Sequence, residues 1–203
     1  MYIPKSNLLT DRSEAVEFMK RFSFGTIITA KDNVPTATHL PFLVELKNDK
    51  IALTSHFAKA NGQWKDVAGN KILVIFSEPH AYISPSNYEK ALNVPTWNYI
   101  SVHAYGIGRL ITDADKVIGV LEQTIDNYEA SYKQQWDSLP ADYKIKMSKG
   151  IVAFEIEVID LQAKKKLSQN KTASEQRNII ESLSKSESEN GKLIADYMMM
   201  EQK

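Results

Sequence analysis

A succession of short β-branched and aromatic runs, many joined by short turns, constrains this chain more than any other feature. Phe24 to Lys31, Val34 to Leu46 and Ile51 to His56 follow one another closely. Each reads as extended. Prolines at 35 and 41 place those positions on an edge or at a bulge. Lys71-Ile-Leu-Val-Ile-Phe76 is continuously apolar, which predicts a strand covered on both faces. His80 to Ser84 continues as another strand. Thr96 to Ile111 reads as one long strand whose Gly106 and Gly108 mark a bend or bulge. Phe154-Glu-Ile-Glu-Val158 alternates apolar and acidic residues, the pattern of a strand with one wet face. About seven strands of this kind predict a mainly β chain with helices (α+β), built as an antiparallel barrel. Strands do not alternate regularly with long helices, which disfavours a doubly wound sheet.

Helical signals lie between and after these runs. Asp11-Arg-Ser-Glu14 looks like a capping box leading a helix to about Phe22. Ala58 to Val67 predicts a short helix. Asp113 can cap a helix carrying Val117, Leu121, Thr124, Tyr128 and Tyr132 at helical period. Pro140 to Lys149 predicts another. Thr172-Ala-Ser-Glu175 is a second capping box, and Ile179, Ile180 and Leu183 give its helix one apolar stripe. Ser184 to Lys192 reads as a hinge or frayed helix. Leu193 to Met200 is apolar and is expected to pack on its own domain or on a partner. The expected division is a barrel domain over 1–171 and a C-terminal helical extension over 172–203.

Composition excludes several chemistries. The 203 residues contain no cysteine, which removes disulfides, thiolate catalysis and cysteine-ligated metals together. The 25 basic and 25 acidic residues balance, so no global field draws DNA. Met1-Tyr-Ile-Pro-Lys5 has no apolar leader pattern, and no run approaches membrane-spanning length. The expectation is a cytoplasmic protein with no membrane association.

Four short constellations carry side chains suited to a flat ligand with a phosphate. Thr54-Ser-His-Phe-Ala-Lys59 ends a strand where a helix is expected to begin. Hydroxyls, free amides and a lysine there make a phosphate cradle, with Thr36, Thr38 and His39 on the neighbouring extended segment. The plainer reading is a set of sheet hydroxyls and a solvated lysine. In Asn61-Gly-Gln-Trp-Lys65, Gln63 can contact a ring, while Trp64 is more simply a core anchor. Trp97-Asn98-Tyr99 brings flat faces and a paired amide edge, and Gln169-Asn170-Lys171 brings two more amides and a cation. The alternative for both is a buried hydrogen-bond network. His39, His56, His80 and His103 lie on or beside strands with no metal-ligand spacing, so no metal site is assigned. One of them could serve a haem as axial ligand. Lys164-Lys-Lys166 reads as a solvated turn, able to touch a phosphate or nucleic acid only with help from other basic groups. No residue is assigned as catalytic acid, base or nucleophile.

Met1-Tyr-Ile-Pro4, Phe24-Gly-Thr26, Ala37-Thr-His-Leu-Pro41, Asn61-Gly-Gln-Trp-Lys65, Pro79-His-Ala-Tyr-Ile-Ser-Pro85, Val94-Pro-Thr-Trp-Asn-Tyr99, Val102-His103 and Leu167-Ser-Gln-Asn-Lys171 occur in one order. In that order the chain resembles the PaiB-like, FMN-binding negative transcriptional regulator family over residues 1 to 172. The resemblance implies an antiparallel split β-barrel of the FMN-binding type, related to pyridoxamine phosphate oxidases and flavin reductases. It also implies a homodimer with FMN in clefts at the subunit interface. Carried over by position, Thr38, His39, Thr54, Ser55 and Lys59 lie near the phosphate, with Gln63 close by. Trp97, Asn98 and Tyr99 come from the second subunit, and Gln169, Asn170 and Lys171 close the site. Gly62 stands where the family is expected to carry proline, and Lys171 where it carries arginine; lysine keeps the charge but not the bidentate fork.

Two functions follow from that resemblance. One is a flavin-dependent oxidoreductase, such as a flavin reductase with a nicotinamide donor. The other is a binding or sensor protein that regulates transcription. A tetrapyrrole in the same cleft is a third possibility.

Overall fold

The computed structural model describes residues 1–202. Eight strands form one sheet: β1 Phe24–Lys31, β2 Val34–Pro41, β3 Leu43–Lys47, β4 Lys50–Ala58, β5 Lys71–Phe76, β6 His80–Ile83, β7 Thr96–Ile111 and β8 Ile151–Lys166. Six α-helices accompany them: α1 Arg12–Arg21, α2 Ala114–Tyr128, α3 Lys133–Ser138, α4 Ala141–Ser148, α5 Ala173–Ser184 and α6 Glu189–Met200. The strand order is β2-β1-β5-β7-β8-β4-β3, with β6 paired to β7. The sheet is antiparallel wherever its registers are defined, and it is not closed into a ring. The α+β split-barrel expectation therefore holds.

The chain forms two compact units. The larger comprises 16–76 and 103–161. Its core is aromatic: Phe42 meets Phe76 at 5.7 Å and Phe154 at 6.3 Å, and Phe154 meets Phe57 at 5.0 Å. All four rings are fully buried. Such ring pairs add about 0.5–1.5 kcal/mol each beyond the burial of their area. In β5 only Ile72, Val74 and Phe76 are fully buried; Leu73 and Ile75 are half covered. The strand thus has one dry face and one partly wet face, where its continuous apolar run predicted two covered faces.

Two glycines in β7 allow close approach of neighbouring elements. A Cβ on Gly106 would lie 2.4 Å from Ile156 Cγ2 and 2.5 Å from the Glu157 carbonyl oxygen. One on Gly108 would lie 2.5 Å from Ile72 Cδ1.

The smaller unit comprises 1–15, 77–102 and 162–203. Here β6 pairs with the start of β7, from His80 opposite Tyr99 to Ile83 opposite Thr96. Helix α6 packs against α5 and β6, burying Ile194, Ala195 and Met198. The apolar C-terminal stretch therefore finds a surface within its own unit. The Thr172–Glu175 capping box is complete: Glu175 N donates to Thr172 Oγ1 at 3.2 Å, and Thr172 N donates to Glu175 Oε2 at 3.2 Å.

Asp11 caps α1 through Ser13 N at 2.8 Å and Glu14 N at 3.1 Å. Glu14 does not reciprocate, because its carboxylate pairs with Lys165 at 2.6 Å. The expected helix over Ala58–Val67 is instead the end of β4 and one 3-10 turn, Gly62–Asp66. The lysine triplet is also different from the sequence reading. Lys164 and Lys165 lie on β8 and are each 7% exposed. Lys165 is sequestered because Glu14 and Glu201 both bind its ammonium. Burial lowers its pKa, and these two carboxylate hydrogen bonds outweigh that and raise it above the ordinary value.

Candidate functional site

The predicted site residues fall into two groups, one in each unit. In the larger unit, Gln63 is 4% exposed and every polar atom of its side chain is engaged. Its Oε1 accepts from Thr38 Oγ1 at 2.6 Å. Its Nε2 donates to the Thr36 carbonyl at 3.0 Å, to Thr29 Oγ1 at 3.2 Å and to the Ile27 carbonyl at 3.4 Å. Asn61 completes the network. Its Nδ2 donates to Thr38 Oγ1 at 3.0 Å and its Oδ1 accepts from Gln63 N at 3.1 Å. One glutamine thereby ties β1, β2 and the 3-10 turn together.

Strand alternation then separates the other members. Successive side chains point to opposite faces. Thr38 therefore shares a face with Gln63, while His39 lies on the other, its ring 6.3 Å from Phe24. Ser55 is 4% exposed on the core face of β4 and donates to the Pro41 carbonyl at 2.6 Å. Thr54 lies on the opposite face, half buried. Lys59 is exposed just past the end of β4, and no carboxylate pairs with it among the described residues. Trp64 is half buried beside it and donates Nε1–H to the Lys59 carbonyl at 3.2 Å. Lys59, Trp64 and Lys149 share the wall of an apolar hollow of about 350 Å³.

In the smaller unit, Asn98 is fully buried. Its Oδ1 accepts from Ser168 Oγ at 3.0 Å, and its Nδ2 lies 3.5 Å from Met198 Sδ. Gln169 folds back on its own segment, accepting from Leu167 N at 2.8 Å and donating to the Lys165 carbonyl at 2.7 Å. These two amides hold the end of β8 in place. Trp97 is half exposed, with the rings of His80 at 5.5 Å and Tyr82 at 6.1 Å. Tyr99 is half buried, with Lys164 Nζ 5.0 Å from its ring centroid. Trp97, Tyr82 and His80 form an exposed aromatic patch. Lys171 Nζ stands 3.5 Å from the Tyr88 ring centroid and 3.1 Å from Asn93 Oδ1. Asn170 is exposed.

Sequence reasoning gave no site role to Tyr88 or Asn93, named Asn61 only as the start of its motif, and gave Lys166 a role only with help from other basic groups. Lys166 donates to Thr96 Oγ1 and, at 2.5 Å, to the Trp97 carbonyl. Burial and the neighbouring Lys164 charge lower its pKa. The only signal for it was a lysine triplet directly before Leu167-Ser-Gln-Asn, where a strand had room to continue.

Comparison with known proteins identifies the group. A family described as "Putative FMN-binding domain" matches residues 1–160. The chain belongs to this family. FMN is accordingly the cofactor of the family to which the chain belongs, and the PaiB-like resemblance holds. The chain is 41% identical over 201 residues to the protease synthase and sporulation protein PAI 2 of Bacillus subtilis, covering 98% of this chain and 96% of that protein. Among solved structures, the FAD and heme binding protein of Mycobacterium smegmatis shares the fold with a TM-score of 0.65 at 14% identity. That likeness covers 84% of this chain and 78% of that one. The flavocytochrome Anf3 of Azotobacter vinelandii aligns with a TM-score of 0.62 at 15% identity, over 81% and 72% of the two chains.

The side chains present fit FMN in their chemistry. Lys59 offers an uncompensated ammonium, His39 an exposed imidazole and Thr54 a hydroxyl, a donor set suited to a phosphate, whereas the Thr38 hydroxyl is committed to Gln63 on the other face of β2. Trp97 and Tyr82 offer exposed flat faces. No helix among the described residues is long and apolar enough to cross a membrane.

Proposed function

We propose that this protein is an FMN-dependent oxidoreductase of the flavin reductase kind, working as a cytoplasmic homodimer with a nicotinamide donor. The family match over residues 1–160 carries the reading. When bound, FMN supplies the electron-transfer chemistry, and the chain's own residues need only hold and shield it. Lys59, His39 and Thr54 bind at the phosphate end, and Thr38 holds Gln63 in place. Gln63, Asn61 and Ser55 keep β2, β4 and the 3-10 turn in register through the hydrogen bonds given above. Trp97 and Tyr99 of a second copy supply aromatic faces, with Asn98 fixing the strand that carries them.

The test starts with the visible spectrum of the purified chain after FMN addition and desalting. Retained flavin at about one per chain, bleached by NADH or NADPH without air, is the expected result. Retained flavin that no nicotinamide reduces removes the reductase reading and leaves FMN binding standing.

A second reading has a specific observation behind it. The 41% identity to PAI 2 spans nearly the whole of both chains, and the printed name of that relative concerns protease synthesis and sporulation. On this reading FMN is a sensed ligand and the output is regulatory. Salt-dependent gel shift of the FMN-loaded and FMN-free protein separates a direct DNA contact, which has a steep salt slope, from action through a partner.

A further inference from the structure

The smaller unit holds a cavity of about 480 Å³ between residues 88–96 and 166–171, with Ser6 and Asn7 on its wall. Two ammonium groups line it, Lys166 and Lys171. Neither forms an ion pair among the described residues. Their partners are neutral. Lys166 binds the Thr96 hydroxyl and the Trp97 carbonyl, and Lys171 binds Asn93 Oδ1 and the face of Tyr88. Glu175 feels the Lys171 charge. Its carboxylate oxygens, however, accept from the backbone amides of Glu89 and Thr172, each at 3.2 Å.

Neutral acceptors fix the two cations without cancelling their charge. Helix α5 begins at Ala173, two residues past Lys171, so the positive end of its dipole adds to the same corner. The two ammonium groups outnumber the one neighbouring carboxylate, Glu175, so the site keeps a net positive charge suited to an anion. Burial already disfavours the charged form of Lys166, and an anion beside it restores that form. The volume exceeds the needs of a bare phosphate and falls within the usual range for small organic ligands.

We propose that this cavity binds the phosphate group of a small phosphate monoester at a site separate from FMN, so that Gln169, Asn170 and Lys171, which the family resemblance places beside FMN, serve this second ligand instead. Asn170, Asn7 and Ser6 supply neutral polar groups around the cations. Lys59, the cation assigned to FMN above, takes no part in its wall.

The probe is inorganic phosphate, titrated into the full chain both free of FMN and saturated with it, and followed by calorimetry and by amide NMR shifts. Saturable binding in both states is expected, with the largest shifts at 88–96 and 166–171. Lys166→Ala and Lys171→Ala should each weaken binding about tenfold, a loss of about 1.4 kcal/mol. Lys171→Gln, which keeps the length of the side chain and a donor for Asn93, guards against misfolding and should weaken binding equally. Absence of binding, binding indifferent to Lys166 and Lys171, or binding that disappears on FMN saturation each overturns the proposal. The last outcome would assign the cavity to the cofactor's own phosphate. Should the protein refuse FMN altogether, the FMN-free titration still decides the question, so the two readings fail separately.

Discussion

Ser168 Oγ donates to Asn98 Oδ1 across 3.0 Å, although the two residues are 70 positions apart. Ser168 takes a φ of +59°, unusual for a residue with a side chain, and this bond joins it to β7. The amide of Asn98 is fully buried, so its truncation leaves the serine hydroxyl and its own site unpaired. Asn98→Ala should lower stability by about 1–3 kcal/mol. A urea unfolding series on the FMN-free protein checks it, and an unchanged midpoint would remove the bond from the account.

Gly106 tests the close packing of β7 on β8. A methyl group there meets Ile156 Cγ2 and the Glu157 carbonyl, and a backbone carbonyl has little room to yield. Gly106→Ala should cost at least about 1–3 kcal/mol, the usual range for overpacking. Gly62→Ala is the control, since nothing lies within 4 Å of its Cβ position. Equal melting temperatures for the two variants would contradict the geometry.

Lys59→Gln separates cofactor binding from stability. The side chain is exposed and unpaired, so the melting temperature of the FMN-free protein should not move. If Lys59 meets the FMN phosphate, the dissociation constant should rise about tenfold, in line with about 1.5–3 kcal/mol for a hydrogen bond to a charged group. Fluorescence titration with FMN and with riboflavin distinguishes this, because riboflavin has no phosphate and should bind both proteins alike.

Acid should destabilise the protein in two windows. Burial lowers the pKa of His56 below 6.5, so the unfolded chain takes up this proton first. Stability therefore falls as the pH drops below 6.5 and levels off below the folded value. Glu175 acts lower down. Burial opposes its ionisation, but backbone hydrogen bonds from Thr172 and Glu89 and the charges of Lys171 and Lys90 lower its pKa below 4.5. Its stabilising share is complete above 4.5 and is lost as the pH falls through the depressed value. His103, its pKa lowered chiefly by burial, adds to the upper window, so in denaturant midpoints His56→Asn should make that window shallower and Glu175→Gln the lower one, each leaving the other unchanged.

Strand β7 was legible to the residue, Thr96 to Ile111, as an extended run between Pro95 and the Asp113 helix cap. Strand β8 was not. Its second half, with Asp160 and three lysines, looks like solvent-facing chain until Glu14 and Glu201 are placed beside Lys165. Those partners lie 151 and 36 residues away, beyond any local pattern. The same holds at the candidate site. The residue types at 61–65 and 97–99 announced polar recognition. Gln63 and Asn98, however, direct their amides to Thr38 and Ser168, and only tertiary contacts reveal that. Lys171 was visible as a charge. Its seat on Tyr88, between two segments 83 residues apart in sequence, was not.

The double clasp on Lys165 also makes β8 a common mooring for distant parts of the chain. The amino group of Met1 binds the side chain of Gln162, and Glu201 binds Lys165, three residues further along the same strand. Three residues apart, those two side chains point to opposite faces of β8, so residues 1 and 201 are held on its two sides. Loss of the Lys165 ammonium therefore releases Glu14 of α1 and Glu201 together, whereas loss of Gln162 releases residue 1 alone.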